Sequence, residues 1–209
     1  MPIRISIIDY NAGNLGSIEK AIRYLKAEPL ITNNVEKILD ADGIILPGVG
    51  AFGDCMENFR KAGFIEEELF PRIIENNTPF YGICLGLQML FDESEEMGTH
   101  QGLGIIPGKV IRFPQGVKCP QIGWNNIVKK RPEHFIFRGI PEDTYFYFVH
   151  SFRAVCDNSE NILAETNYEG NVFPSMVIKD NIIASQFHPE KSGKWGLKLL
   201  QNFLDSTKE

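Results

Sequence analysis

Through the first half of the 209-residue chain, short apolar runs alternate with segments of helical period. "IRISIID" reads as a buried strand. "NLGSIEKAIRYLKA" (14–27) reads as a helix, with Leu15, Ile18, Ile22 and Leu25 at helical spacing. "PLITN" and "NVEKILDA" repeat the pair on a shorter scale. "GIILP" leads to helical stretches at 54–62 and 64–77, and "PFYGIC" to a helix over 85–94. Strands that are apolar throughout, separated by helices, are satisfied by a parallel sheet covered on both faces. From 104 to 187 the pattern changes to short strands and turns, "GKVIRF", "WNNIVKK", "TYFYFVHSFRAV", "NILAETNY", "SMVIKD" and "NIIASQF", before a last helix over 193–206. The expected architecture is α/β: a mostly parallel central sheet flanked by helices, with an antiparallel β extension. No stretch rich in Gly, Pro or Ser marks a boundary, so residues 1–209 read as one domain.

Charge and cysteine usage narrow what such a domain handles. Lys and Arg total 21 and Asp and Glu 27, a net charge of -6. That balance disfavours nucleic acid or an anionic membrane surface as a partner. The longest apolar runs fall short of the ~20 residues of a spanning helix. "MPIRISIID" turns acidic at Asp9, which does not suit a signal peptide. Cys55, Cys84, Cys119 and Cys156 are spread out with no C-x-x-C, as expected of thiols in a reducing cytoplasm rather than a disulfide scaffold or a zinc site. Neither a metal nor a cofactor is expected.

"YGICLGLQ" (81–88) carries the chemistry. Gly82-Ile83-Cys84-Leu85-Gly86 is G-x-C-x-G between a strand and a helix, the setting of a nucleophile elbow with Cys as the nucleophile. Flanking glycines remove the Cβ atoms that would obstruct so tight a turn. A helix beginning at the thiol offers free N–H groups and a dipole that favour a thiolate. The Leu85 N–H is placed to meet an oxyanion beside the sulfur. The competing reading is a buried structural cysteine, which the glycines and the strand-to-helix junction disfavour.

A thiolate nucleophile needs a base and a group to orient it. Of four histidines, His100 and His134 lie in polar, loop-like stretches, and His150 ends "YFYFVH". His188 ends "ASQFH", where a strand gives way to the final helix, and ligands of open α/β sheets bind beyond the strand carboxyl ends. Pro189 stiffens the spacing, so Glu190 can bond the ring nitrogen not used on sulfur. Alone, "HPE" is equally a surface or capping element; after an elbow cysteine it completes a Cys84–His188–Glu190 triad.

"GICLGLQ" and "QFHPE" together resemble the class I, or triad, glutamine amidotransferases. "DYNAGNLGS", "LPGVGAFGD", "GICLGLQMLFDESEE", "IGWN", "YFYFVHSF" and "FHPEKSG" further resemble one branch, the glutaminase subunits of imidazole glycerol phosphate synthase, over essentially the whole chain. The resemblance implies that Val49 supplies a second oxyanion N–H beside that of Leu85. It also implies that L-glutamine is held by Gln88, Glu96, Gly50 and the backbone at His150–Ser151. The implied partner is a (β/α)8-barrel cyclase subunit that receives the ammonia, with Asn14, Gln121, Trp124, Asn125 and Lys191 on the docking side. From the residues alone Gln88 is equally a solvent-facing helix position, and Trp124 equally a core residue. Gln121 departs from the family, where many members carry His. A paralogous glutaminase serving bacterial surface-sugar amidation is an alternative, as is a Cys hydrolase or peptidase on the same fold.

Gly48, Gly50 and Gly53 in "ILPGVGAFGD" also spell G-x-G-x-x-G. A dinucleotide loop belongs on the first βα turn, with an acidic residue about 20 positions on. This one follows the third strand, after Pro47, and the acidic cluster Glu66–Glu68 falls within a helical stretch. The glycines instead suit a loop whose Val49 peptide turns without steric cost.

Overall fold

In the computed structural model, which describes residues 2–208, the first half of the chain runs β1 (Arg4–Ile8), α1 (Leu15–Tyr24), β2 (Glu28–Thr32), α2 (Val35–Leu39), β3 (Gly43–Leu46), α3 (Phe52–Lys61), α4 (Leu69–Glu75), β4 (Phe80–Ile83) and α5 (Leu85–Gln88). The second half is richer in strands: β5 (Phe91–Ser94), β6 (His100–Gln101), β7 (Ile106–Arg112), β8 (Gln121–Asn126), β9 (Val128–Lys129), β10 (Tyr145–His150), β11 (Phe152–Cys156), β12 (Ile162–Tyr168), β13 (Asn171–Lys179) and β14 (Ile182–Ser185), then α6 (Gly193–Ser206). The main sheet has the order β2-β1-β3-β4-β14-β13-β12-β9. Its first five strands are mutually parallel, and β13, β12 and β9 continue it antiparallel. Every residue of β3, β4 and β14 is buried, which explains why these runs carry no polar alternation.

Two apolar layers cover the sheet. Phe52, Met56, Phe59 and Phe70 from α3 and α4 fill one side. On the other, Ile18 and Ile22 of α1 and Leu199 and Phe203 of α6 meet Phe146, Phe148 and Phe187. The expected antiparallel extension is present as β13, β12 and β9 of the main sheet, while other strands of the second half form two small sheets, β11-β7-β5-β6 and the ribbon β10-β8. Within the four-stranded one, β5 and β7 run parallel. Among the described residues no helix is long and apolar enough to cross a membrane.

Three expected elements are corrected. The helix over 85–94 stops at Gln88, and Phe91–Ser94 becomes β5, paired with β7. An unbroken apolar run does not distinguish a buried helix from a buried strand. The single strand "TYFYFVHSFRAV" breaks at Ser151 into β10 and β11, which belong to different sheets. The helix over 64–77 begins only at Leu69: the preceding turns bring Phe64 against Phe59, ring centroids 4.8 Å apart, and Glu68 takes φ 52°.

Candidate active site

Cys84 stands between β4 and α5 at φ 57° and ψ −107°. A non-glycine residue held there stores about 1–3 kcal/mol of strain, sustained only by its surroundings. The Cys84 N–H donates to the Ser185 carbonyl at 2.8 Å, and the Cys84 carbonyl accepts from Leu87 N at 3.0 Å. A Cβ on Gly86 would collide with the Leu46 carbonyl, so the elbow seats against β3 only with glycine there. Gln186 Nε2 approaches the sulfur at 3.7 Å.

His188 reaches the thiol from the loop after β14. Its backbone N–H donates to Tyr147 O at 2.9 Å, and Ser192 Oγ donates to its carbonyl at 2.6 Å. Nδ1 lies 2.8 Å from Glu190 Oε1, with the Glu190 side chain wholly buried. Among the described residues no nitrogen or oxygen partner holds Nε2, which leaves it to exchange a proton with the neighbouring Cys84 sulfur. Burial opposes charging this ring, but the Cys84 sulfur and the Glu190 carboxylate outweigh it and raise His188 to about 9.

A cavity of about 300 Å³ opens at the sulfur. Its wall unites Cys84, His188, Val49, Leu85, Gly50, Gln88, Glu96, His150 and Ser151, with Lys191 also lining it; Glu190 stands behind His188. That volume lies at the small end of the range for ligand sites. The loop of Val49 rests on the elbow, since a Cβ on Gly48 would come within 2.6 Å of the Gly86 nitrogen and of Leu85 Cβ. Among the described residues neither the Val49 N–H nor the Leu85 N–H is engaged in a hydrogen bond.

Gln88 is buried, not solvent-facing, and its Nε2 donates to Phe152 O and to Gln186 Oε1, each at 3.0 Å. Glu96 Oε2 accepts from Phe52 N at 2.7 Å, holding the start of α3 and leaving its other oxygen for the cavity. His150 Nδ1 contacts Phe152 O at 2.6 Å; burial, aided by the charge of His188, lowers this ring to about 4, so it is neutral. His100 packs on Gly53, and His134 caps a short turn by accepting from Ile136 N. Gln186 has no part in the sequence reading, although "QFHPE" contains it; fully buried, it joins Gln88 to the sulfur.

The docking-side residues separate. Trp124 is 54% exposed, which removes the core reading, and meets Tyr147 edge-on at 6.1 Å. Asn125 Nδ2 donates to Asn167 O at 3.0 Å, and Asn14 caps α1 by accepting from Ser17 N at 3.4 Å. Gln121 is corrected: it is 2% exposed and opposite His150 in the β8–β10 pairing, so it does not present a surface. Alternation along β8 turns Ile122 and Trp124 outward and Gln121 inward.

A sulfur nucleophile with an oriented base and unpaired N–H groups beside it is equipped to open an amide through a thioester, which defines a thiol-dependent amide hydrolase. Comparison with known proteins sharpens the class. The family model "Glutamine amidotransferase class-I" matches residues 6–207, and the chain belongs to that family. It is 51% identical to "Imidazole glycerol phosphate synthase subunit HisH" of Methanocaldococcus jannaschii, over 96% of this chain and 98% of that protein. The HisH of Aquifex aeolicus is 47% identical, with 96% of each chain covered. Among solved structures, PurLQS from Thermotoga maritima shares the fold at TM-score 0.76 and 20% identity, covering 99% of each chain.

Proposed function

We propose that this chain is the glutaminase subunit of an imidazole glycerol phosphate synthase of histidine biosynthesis, acting in the cytoplasm as one domain over residues 1–209. Its partner is a (β/α)8-barrel cyclase subunit that takes the ammonia and forms imidazole glycerol phosphate. The observation that carries the reading is the Cys84–His188–Glu190 arrangement on a cavity that also holds Gln88 and Glu96. The near-full-length likeness to HisH proteins supports the pathway.

Cys84 sulfur attacks the side-chain amide carbon of L-glutamine. The oxyanion is met by the N–H groups of Leu85 and Val49, and losing one such donor typically costs about 3–4 kcal/mol. His188 passes its proton to the departing nitrogen as the C–N bond breaks, leaving a thioester and ammonia. It then takes a proton from water, whose oxygen attacks the thioester. Glutamate leaves and the thiolate returns. Glu190 holds the ring in register throughout. Glu96 receives the α-ammonium of glutamine, and Gln88 and the backbone at Gly50 and His150–Ser151 fix the rest of the substrate. Lys191, Trp124, Asn125 and Asn14 lie on the side that meets the cyclase.

The test is Cys84→Ala in the complex with the barrel subunit. Glutamine-dependent synthesis and glutamate release are expected to vanish, while synthesis from added ammonia persists. Glutamine hydrolysis by Cys84→Ala overturns the assignment.

A further inference from the structure

The loop carrying Val49 is tied on either side of a single peptide plane. Tyr10 Oη donates to the Pro47 carbonyl at 2.6 Å. The Cys55 thiol reaches the Val49 carbonyl at 3.5 Å. Both anchors are buried, at 1% and 2% exposure. Between the two held carbonyls lies only the Gly48–Val49 peptide, whose N–H is that of Val49. A planar peptide with both neighbouring planes fixed retains one soft motion, a coupled rotation of ψ at residue 48 and φ at residue 49. The absent Cβ at Gly48 permits that rotation and lets the loop sit directly on Leu85 and Gly86. Cys55 is itself placed by α3, whose first N–H is held by Glu96.

We propose that Tyr10 and Cys55 act as a two-point clamp on the Pro47 and Val49 carbonyls, fixing the place of the Gly48–Val49 peptide in the cavity wall so that its one remaining rotation carries the Val49 N–H to the oxyanion. The inference rests on the reading of Val49 as an oxyanion donor. Tyr10 and Cys55 are positioning residues, since they act only through the loop. Burial pushes the Cys55 thiol up to about 11 even though the neighbouring Tyr10 hydroxyl opposes the rise, so it remains a protonated donor while His188 is cycling. Burial raises the Tyr10 phenol likewise. Cys55 is therefore a structural donor, not a second nucleophile.

The test uses the full chain in complex with its barrel subunit. Cys55→Ala deletes the donor and Cys55→Ser keeps one. The clamp requires kcat for glutamine hydrolysis to fall about tenfold in Cys55→Ala, with KM moving less than about twofold. Cys55→Ser should return kcat to within about threefold of the parent. A packing role gives the opposite order, because burying a hydroxyl costs more than burying a methyl. Tyr10→Phe should show the same kcat-selective loss. Ammonia-dependent synthesis should be unchanged in all three, which reports intact folding and docking. Parental kcat in Cys55→Ala, or a Cys55→Ser no better than Cys55→Ala, overturns the clamp. Val49→Pro tests the underlying reading separately, because it deletes the N–H itself. Full activity in that variant removes Val49 from the oxyanion hole, whatever the Cys55 variants do.

Discussion

His188 and His150 share one cavity and lean in opposite directions, and stability should show both. His188 is raised from an ordinary 6.5 to about 9. Between those values the folded chain holds a proton that the unfolded chain has lost, so its contribution is full below 6.5 and fades as pH climbs to about 9. His150 is lowered to about 4, so its contribution is full above 6.5 and fades as pH falls towards 4. Unfolding by denaturant across pH should therefore give these two residues a joint optimum near 6.5. Glu190→Gln should flatten the alkaline limb and leave the acid limb alone; an unchanged alkaline limb would contradict the coupling of His188 to Glu190. In steady-state glutaminase assays His188→Ala should be as severe as Cys84→Ala, and Glu190→Gln milder, because it disturbs orientation without removing the base. Cys84, His188 and Glu190 were legible in the sequence because each sits in a short motif with local geometric meaning. Gln186, Tyr10 and Cys55 were not, because what matters about them is contacts: Tyr10 to Pro47 is 37 positions away, and Gln186 to Cys84 is 102. No local pattern announces such a contact.

The elbow is the element on which the site depends. Gly86→Ala would push a methyl into the Leu46 carbonyl, which is backbone and cannot swing aside. We expect a loss of about 1–3 kcal/mol in stability from this overpacking, with a larger fractional loss of glutamine turnover than of ammonia-dependent synthesis. Thermal unfolding and the two assays measure it, and a Gly86→Ala chain of parental stability would show that β3 and the elbow can part. The parallel strands β1, β3 and β4 were readable because burial on both faces leaves them mostly apolar. β14 was not: "NIIASQF" reads with the antiparallel extension, yet Ile182–Ser185 lies parallel to β4, a pairing about a hundred residues apart that no local pattern marks. The ends of α5 and of β10 were not. Leu103 N donates to Met89 O and Ile106 N to Leu90 O, so the chain after Gln88 is claimed by residues that come later. Likewise "YFVHSF" is one alternating run, and it divides only because β10 pairs with β8 and β11 with β7.

On the scale of the whole molecule, the ribbon β8–β10 presents an apolar outer face. Ile122, Trp124 and Tyr145 are 62%, 54% and 55% exposed, and Val149, opposite Ile122, lines the cavity. An exposed aromatic at the centre of such a face is the kind of residue that dominates binding. Trp124→Ala should weaken association with the proposed barrel subunit by about 2 kcal/mol, roughly 30-fold in Kd by titration calorimetry. Unaltered affinity would move the docking surface elsewhere. The α/β class and the parallel strands β1 to β4 followed from alternation; β14 and the small sheets did not, because their pairings join distant segments, such as β14 to β4 and β11 to β7 across the intervening ribbon. One adjacency in the main sheet has a consequence in time. β4, which ends at the nucleophile, is flanked by β3 and by β14, about a hundred residues downstream, and the base follows β14 directly. During synthesis from the N-terminus, the elbow strand has only one neighbour until nearly the whole chain has been made. A growing chain therefore holds its thiol without its base, and glutamine is safe from it until the last strand slides in.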